Sequence, residues 1–103
     1  MIVQWTKQAN SVLLQTVGYI EKQFGKKTKQ KFLSNIRRLL TLLKISPYMG
    51  RIEPLLQNRQ STYRSIMVGR INRIIYRILD NTIEIADLWD MRRKPENLAN
   101  RIS

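Results

Sequence analysis

The sequence predicts an α+β fold in which an N-terminal strand and an antiparallel helical hairpin pack on a mainly antiparallel sheet, in the order β-α-α-β-β-β. Three observations carry this. Before residue 47, apolar residues recur at three- and four-residue steps over two long stretches, the mark of one buried helix face. Beyond residue 62 they alternate or gather in β-branched blocks separated by short turns, as strands of a meander do. The length, 103 residues, suits one domain spanning 1–103 and is too short for two ordinary ones.

The elements follow in order. Ile2 to Trp5, β-branched and aromatic, reads as a short strand, and Thr6 as the N-cap of the helix after it. Ala9, Val12, Leu13, Val17, Ile20 and Phe24 form that helix's apolar face, and Gly25 sits where a glycine would end it. A second helix runs from about Lys27 to Ser46 and stops at Pro47, with Phe32, Ile36, Leu39, Leu40 and Leu43 as its stripe. So short a turn implies an antiparallel hairpin, whose apolar faces require a sheet beneath them. Pro47 to Ser61 is expected to be irregular. Tyr63 to Val68, Ile71 to Leu79 and Thr82 to Trp89 are three strands, joined by turns at Gly69-Arg70 and Asp80-Asn81. Short turns make them an antiparallel meander. The tail, Met91 to Ser103, begins with Arg92-Arg93-Lys94-Pro95 and is expected to add a short helical turn from Glu96.

Composition narrows the chemistry. There is no cysteine and no histidine, which removes disulfides, thiol nucleophiles, the usual metal ligands and the usual base near neutral pH. No metal or cofactor is expected. Lys and Arg number 19 against 7 Asp and Glu, a formal net charge of +12. An excess this large repels itself in a compact domain and points to a polyanionic partner, nucleic acid or an acidic protein. The start of the chain has no secretory pattern and no segment is apolar enough for a membrane span, so a cytoplasmic protein without a membrane partner is expected.

Phe24-Gly25 between the helices and Pro47-Tyr48-Met49-Gly50 after them, then Tyr63-Arg64-Ser65, Val68-Gly69-Arg70 and Arg73-Ile74-Ile75-Tyr76-Arg77 with Asp80, resemble the RelE/ParE toxin superfamily. So does the closing Ile83-Glu84-Ile85-Ala86-Asp87-Leu88-Trp89-Asp90 with Arg92-Arg93-Lys94-Pro95. The resemblance covers nearly the whole chain, through the order and spacing of loose motifs. It implies the toxin of a type II toxin–antitoxin pair, a plasmid-stabilisation type of protein, silenced by a cognate antitoxin that is acidic where it makes contact. RelE-like members cut mRNA on the ribosome; ParE-like members act on DNA gyrase.

Arg73 and Arg77 share one face of their strand and Ile74, Tyr76 and Ile78 the other, so the arginines are expected on an open face, away from the helices. The resemblance aligns Arg73 with a nuclease's catalytic arginine and Glu53 with a base that deprotonates a ribose 2′-hydroxyl. An isolated loop glutamate and an open-face arginine are otherwise simply solvated. Arg92 and Arg93 fall where phosphate-binding and proton-donating residues lie; an arginine fork grips phosphate but gives up no proton. Neither tyrosine nor histidine follows Tyr76, a departure from the nucleases that leaves the leaving group without its acid.

Arg73, Arg92 and Glu53 are thus the catalytic candidates. Arg64, Arg70, Arg77, Arg93, Lys94, Lys27, Lys31 and Arg38 are candidates for holding nucleic acid or a protein target. No acid interrupts Lys26 to Lys44, so that helix cannot neutralise its own cations. Trp5, Trp89 and Tyr19 are read as packing. Three functions fit: a gyrase poison, which the missing acid favours slightly; a metal-independent ribosome-dependent mRNA endonuclease; and a basic nucleic-acid-binding module with no toxic role.

Overall fold

A computed structural model describes residues 1–102. Its elements are β1 (Ile2–Trp5), α1 (Lys7–Phe24), α2 (Lys26–Ile45), β2 (Arg51–Ile52), a 3₁₀ turn (Pro54–Leu56), β3 (Tyr63–Val68), β4 (Asn72–Leu79), β5 (Thr82–Asp90) and α3 (Pro95–Arg101). The sheet order is β1-β5-β4-β3-β2, with β1 parallel to β5 and every other pair antiparallel. The expected α+β fold is therefore present, with three additions. The stretch expected to be irregular holds β2 and the 3₁₀ turn, and the tail holds a two-turn helix opening on Pro95.

Local chemistry sets the hairpin. The Thr6 hydroxyl accepts from the Ala9 amide at 3.1 Å and donates to the Ala86 carbonyl at 3.3 Å, fixing the start of α1 on β5. Gly25, at φ 91°, is all that separates the helices, a conformation that glycine takes without a Cβ penalty. Ala9, Ile36, Leu39 and Leu43 pack on Val68, Ile74, Tyr76, Ile83, Ile85 and Leu88 to form the main core. The apolar end of α1 departs from expectation: Phe24 is 64% exposed and sets its ring edge-on to that of exposed Tyr19. The Thr6 amide bonds Ile85, halfway along β5. From there the strand extends roughly 17 Å, whereas eighteen helical residues extend roughly 27 Å, so the hairpin outruns the sheet.

The second face depends on one extra residue. Tyr76 pairs with Ile85 and Ile75 with Asp87, so Ala86 is a β-bulge. Strict alternation from Ile85 would turn Asp87 and Trp89 toward the helices. The bulge instead keeps Leu88 on the helix side and turns Trp89 away from it. There Trp89 packs with Leu56, Tyr63, Ile75, Ala86, Leu98 and Ile102 in a second core. The face expected to be open is roofed by α3 and the 3₁₀ turn.

Within the main core, on the helix side of the sheet, Tyr76 clamps the exit of α2. Its hydroxyl accepts from the Gly50 amide at 3.0 Å and donates to the Pro47 carbonyl at 2.7 Å. Burial pushes this phenol above its ordinary pKa, so it remains a neutral donor. Tyr76→Phe should cost about 1–3 kcal/mol, because it leaves two backbone groups unpaired. Gly50→Ala should cost more, since its Cβ would lie 2.6 Å from that hydroxyl and 2.9 Å from the Ser65 carbonyl. Thermal unfolding of both variants, with Gly18→Ala as an unobstructed control, checks the order.

Candidate functional site

Glu53 lies between β2 and the 3₁₀ turn. Its amide donates to the Tyr63 carbonyl at 2.8 Å, and one carboxylate oxygen accepts from the Leu55 amide at 3.1 Å, capping the turn. The other oxygen lies 3.1 Å from an Arg73 guanidinium nitrogen. Glu53 is 0% exposed and Arg73 only 8%. Neither is a solvated side chain, as an isolated loop glutamate and an open-face arginine would be. The physical reason is the roof: Leu56, Leu98 and Trp89 close over the strand face that carries Arg73. Glu53 Oε1, Arg73 Nε and Ser65 Oγ are buried beneath it with no hydrogen-bond partner among the described residues, so the Glu53–Arg73 contact is an ion pair without an aligned hydrogen bond.

Arg77, four residues further along β4 on the same face, reaches the edge of the roof. It donates to Glu84 at 2.8 Å and to the Ser61 hydroxyl at 3.0 Å, and its guanidinium lies 5.5 Å from the Tyr63 ring centroid. The Glu84 hydrogen bond holds its pKa above the ordinary value.

The third catalytic candidate is elsewhere. Arg92 is 63% exposed and forks onto Asp90, whose carboxyl it holds below the ordinary carboxylate pKa. The structure therefore brings Glu53 and Arg73 together and leaves Arg92 outside.

The remaining candidates fall into separate groups. Arg93 is exposed and sets its guanidinium 5.7 Å from the Trp89 ring centroid, beside exposed Lys94 at the start of α3. Arg64 lies on the helix side, donating to the Gly50 carbonyl at 2.9 Å with its guanidinium 5.1 Å from the Tyr48 ring centroid. Arg70 is exposed in the β3–β4 turn, and Lys27, Lys31 and Arg38 line the outer side of α2.

Two contacts that pin the roof had no sequence signal. Arg101 donates to buried Asp87 at 2.7 Å, and Arg59 donates to the carbonyls of Ala99 and Ile102 at the end of α3. An arginine in a polar loop and an aspartate in an apolar strand look ordinary until the chain folds.

Chemically the pair is a poor place for a reaction. A base that removes a 2′-hydroxyl proton must come within hydrogen-bond reach of it, and Glu53 is sealed and already accepts from Leu55. Its remaining oxygen faces a guanidinium. Tyr63, the tyrosine in this second core, is buried under Arg77. Among the described residues, no group of three or more histidine, cysteine, aspartate or glutamate side chains could hold a metal ion, and no helix is long and apolar enough to cross a membrane.

A family model described as the ParE toxin of the type II toxin–antitoxin system parDE matches residues 3–95. No curated protein matches significantly. Among solved structures, the chromosomal ParDE toxin–antitoxin system from P. aeruginosa has a similar chain, with TM-score 0.69 and 18% identity, covering 87% of this chain and 95% of that one. The YoeB dimer from Staphylococcus aureus is similar at TM-score 0.58 and 22% identity, covering 84% and 92%. At these identities the two structures establish the shared fold.

Proposed function

The chain belongs to the ParE toxin family of type II toxin–antitoxin systems, and on that premise we propose that it arrests growth by acting on DNA gyrase, without cutting RNA, until a cognate antitoxin silences it. The observation that carries this reading is the sealed Glu53–Arg73 pair, 0% and 8% exposed. A ribose hydroxyl has no path to that carboxylate. A strained, solvent-facing base would support cleavage; a buried, capped and ion-paired one supports a structural role. The lack of any tyrosine or histidine after Tyr76 adds to it, since Arg92 and Arg93 cannot protonate a leaving group.

The surfaces left for a protein target are cationic. Arg70, Arg93 and Lys94 are exposed and belong to elements held in place by the sheet and its roof. Their part is to bind and orient the target, with no covalent step. The antitoxin is proposed to be acidic in its contacting segment, because the chain carries a net charge of +12. Its association should slow and weaken as salt rises; affinity that is flat in salt would remove the electrostatic part.

A second reading draws on one observation. Glu53 and Arg73, far apart in sequence, meet at 3.1 Å, the pairing that a ribosome-dependent mRNA endonuclease would use if α3 lifted away. Purified gyrase separates the two. The toxin should block supercoiling of relaxed plasmid, and added antitoxin should restore it. Untouched supercoiling, together with cleavage of ribosome-bound mRNA, would move the assignment to the nuclease.

A further inference from the structure

The outer face of α2 carries six cations that the proposed gyrase-directed role does not employ: Lys26, Lys27, Lys31, Arg37, Arg38 and Lys44, all exposed. Among the described residues none of them is in an ion pair. The core-facing side is set by Ile36, Leu39 and Leu43, so this face points to solvent. Like charges such as Lys27 and Lys31, four apart, repel by a few tenths of a kcal/mol, and no acid lies on the helix to offset it.

Their arrangement is more specific than an excess of charge. At about 100° per residue, Lys26, Arg37 and Lys44 fall within about 20° of one another. Lys27, Arg38 and Lys31 form a second row about 100° away. Gln30, Ser34 and Thr41, exposed and uncharged, lie between the rows. The first row runs nearly the whole helix, roughly 27 Å, and the second covers its first half, roughly 17 Å from Lys27 to Arg38, with exposed Ile45 in line with it at the last turn. Their tips stand roughly 10 Å or more apart for a helix of this girth, comparable with the ~12 Å major groove of B-form DNA, which admits a helix between two phosphate strands.

We propose that the outer face of α2 is a binding site for the phosphate backbones of duplex DNA, one cationic row to each strand, without base recognition. The neutral strip has donors but no apolar anchor, so it suits a polyanion better than an acidic peptide, which draws much of its affinity from buried side chains. It has no aromatic residue for stacking single-stranded bases. The deep, narrow major groove of duplex RNA does not admit such a helix. The site operates whether or not gyrase is the toxin's target, and would concentrate the toxin on DNA.

The test is fluorescence anisotropy of a short labelled DNA duplex titrated with the full chain, without gyrase or antitoxin. With six contacts at ~0.9 each, log affinity should fall against log salt with a slope of about −5, roughly a thousandfold between ~50 and ~200 mM. Lys27→Gln with Arg38→Gln should flatten the slope by about 2, whereas Lys7→Gln with Lys22→Gln, an equal loss of charge on α1, should leave it unchanged. All four positions are exposed, so the fold is retained. Equal flattening by both pairs would overturn the proposal, as would equally tight binding of duplex RNA, single strands or polyglutamate.

Discussion

Arg73→Ala should destabilise the protein by about 3–5 kcal/mol, because it strands the buried Glu53 carboxylate without its counter-charge. In a domain of this size that lowers the melting temperature by roughly 12–20 °C. Replacing both partners with apolar residues of similar volume, Glu53→Leu with Arg73→Met, should recover much of the loss, since no uncompensated charge then remains. The Leu55 amide, capped by Glu53 at 3.1 Å, would still lose its partner, so recovery should stop about 1 kcal/mol short. The double variant also carries functional weight. A toxin whose pair is only structural should still arrest growth once refilled, whereas a nuclease using Glu53 as base and Arg73 on the phosphate would be dead however well it folds. Differential scanning fluorimetry beside a growth assay reads both.

The second large effect is at the other pin of the roof. Arg101→Ala removes the cation 2.7 Å from Asp87, a carboxylate 0% exposed, and also releases the end of α3 from the Trp89 ring, 5.3 Å away. Because Arg101 keeps some contact with solvent, a loss of about 2–3 kcal/mol is expected, below the range for a fully buried pair. The pH dependence identifies the cause. Burial pushes the Asp87 carboxyl above its ordinary pKa even with Arg101 beside it, so its ionised form is the one that costs the folded state. Its contribution to stability is most favourable below the ordinary carboxylate value and falls as pH rises through the window up to the raised folded value. Without Arg101 that window widens upward. The Arg101→Ala defect should therefore be largest near neutral pH and shrink on moderate acidification. Melts at several pH values test this, and a pH-independent defect would trace the loss to packing alone. Asp87→Asn in the Arg101→Ala background should recover part of the stability.

Much of this architecture is legible in the chain because local and global signals agree. Thr6 and Gly25 frame α1, the three-and-four spacing to Leu43 defines α2, and the isoleucine-rich blocks around short turns define the meander. The face of Tyr76 follows from simple alternation in β4. What sequence leaves hidden depends on long-range geometry. The bulge at Ala86 has no residue signature, yet it decides that Trp89 leaves the helix side. Leu98 and Ile102 are too few to register as an apolar face, yet with Leu56 they bury Arg73 and Glu53. Family resemblance alone links those two residues in the sequence, and no local pattern marks their burial. The parallel partnership of β1 with β5 is a topological choice that four residues cannot announce.

The roof unites these results. One short helix, held by Arg101, Arg59 and two apolar side chains, turns an arginine–glutamate pair that resembles nuclease machinery into buried structure. The most direct measurement is induced expression in a bacterial host, with mRNA 5′ ends and chromosomal DNA breaks mapped in the same cells. A gyrase-directed toxin predicts growth arrest with accumulating DNA breaks and unchanged mRNA ends; arrest with new mRNA ends and intact DNA would contradict it.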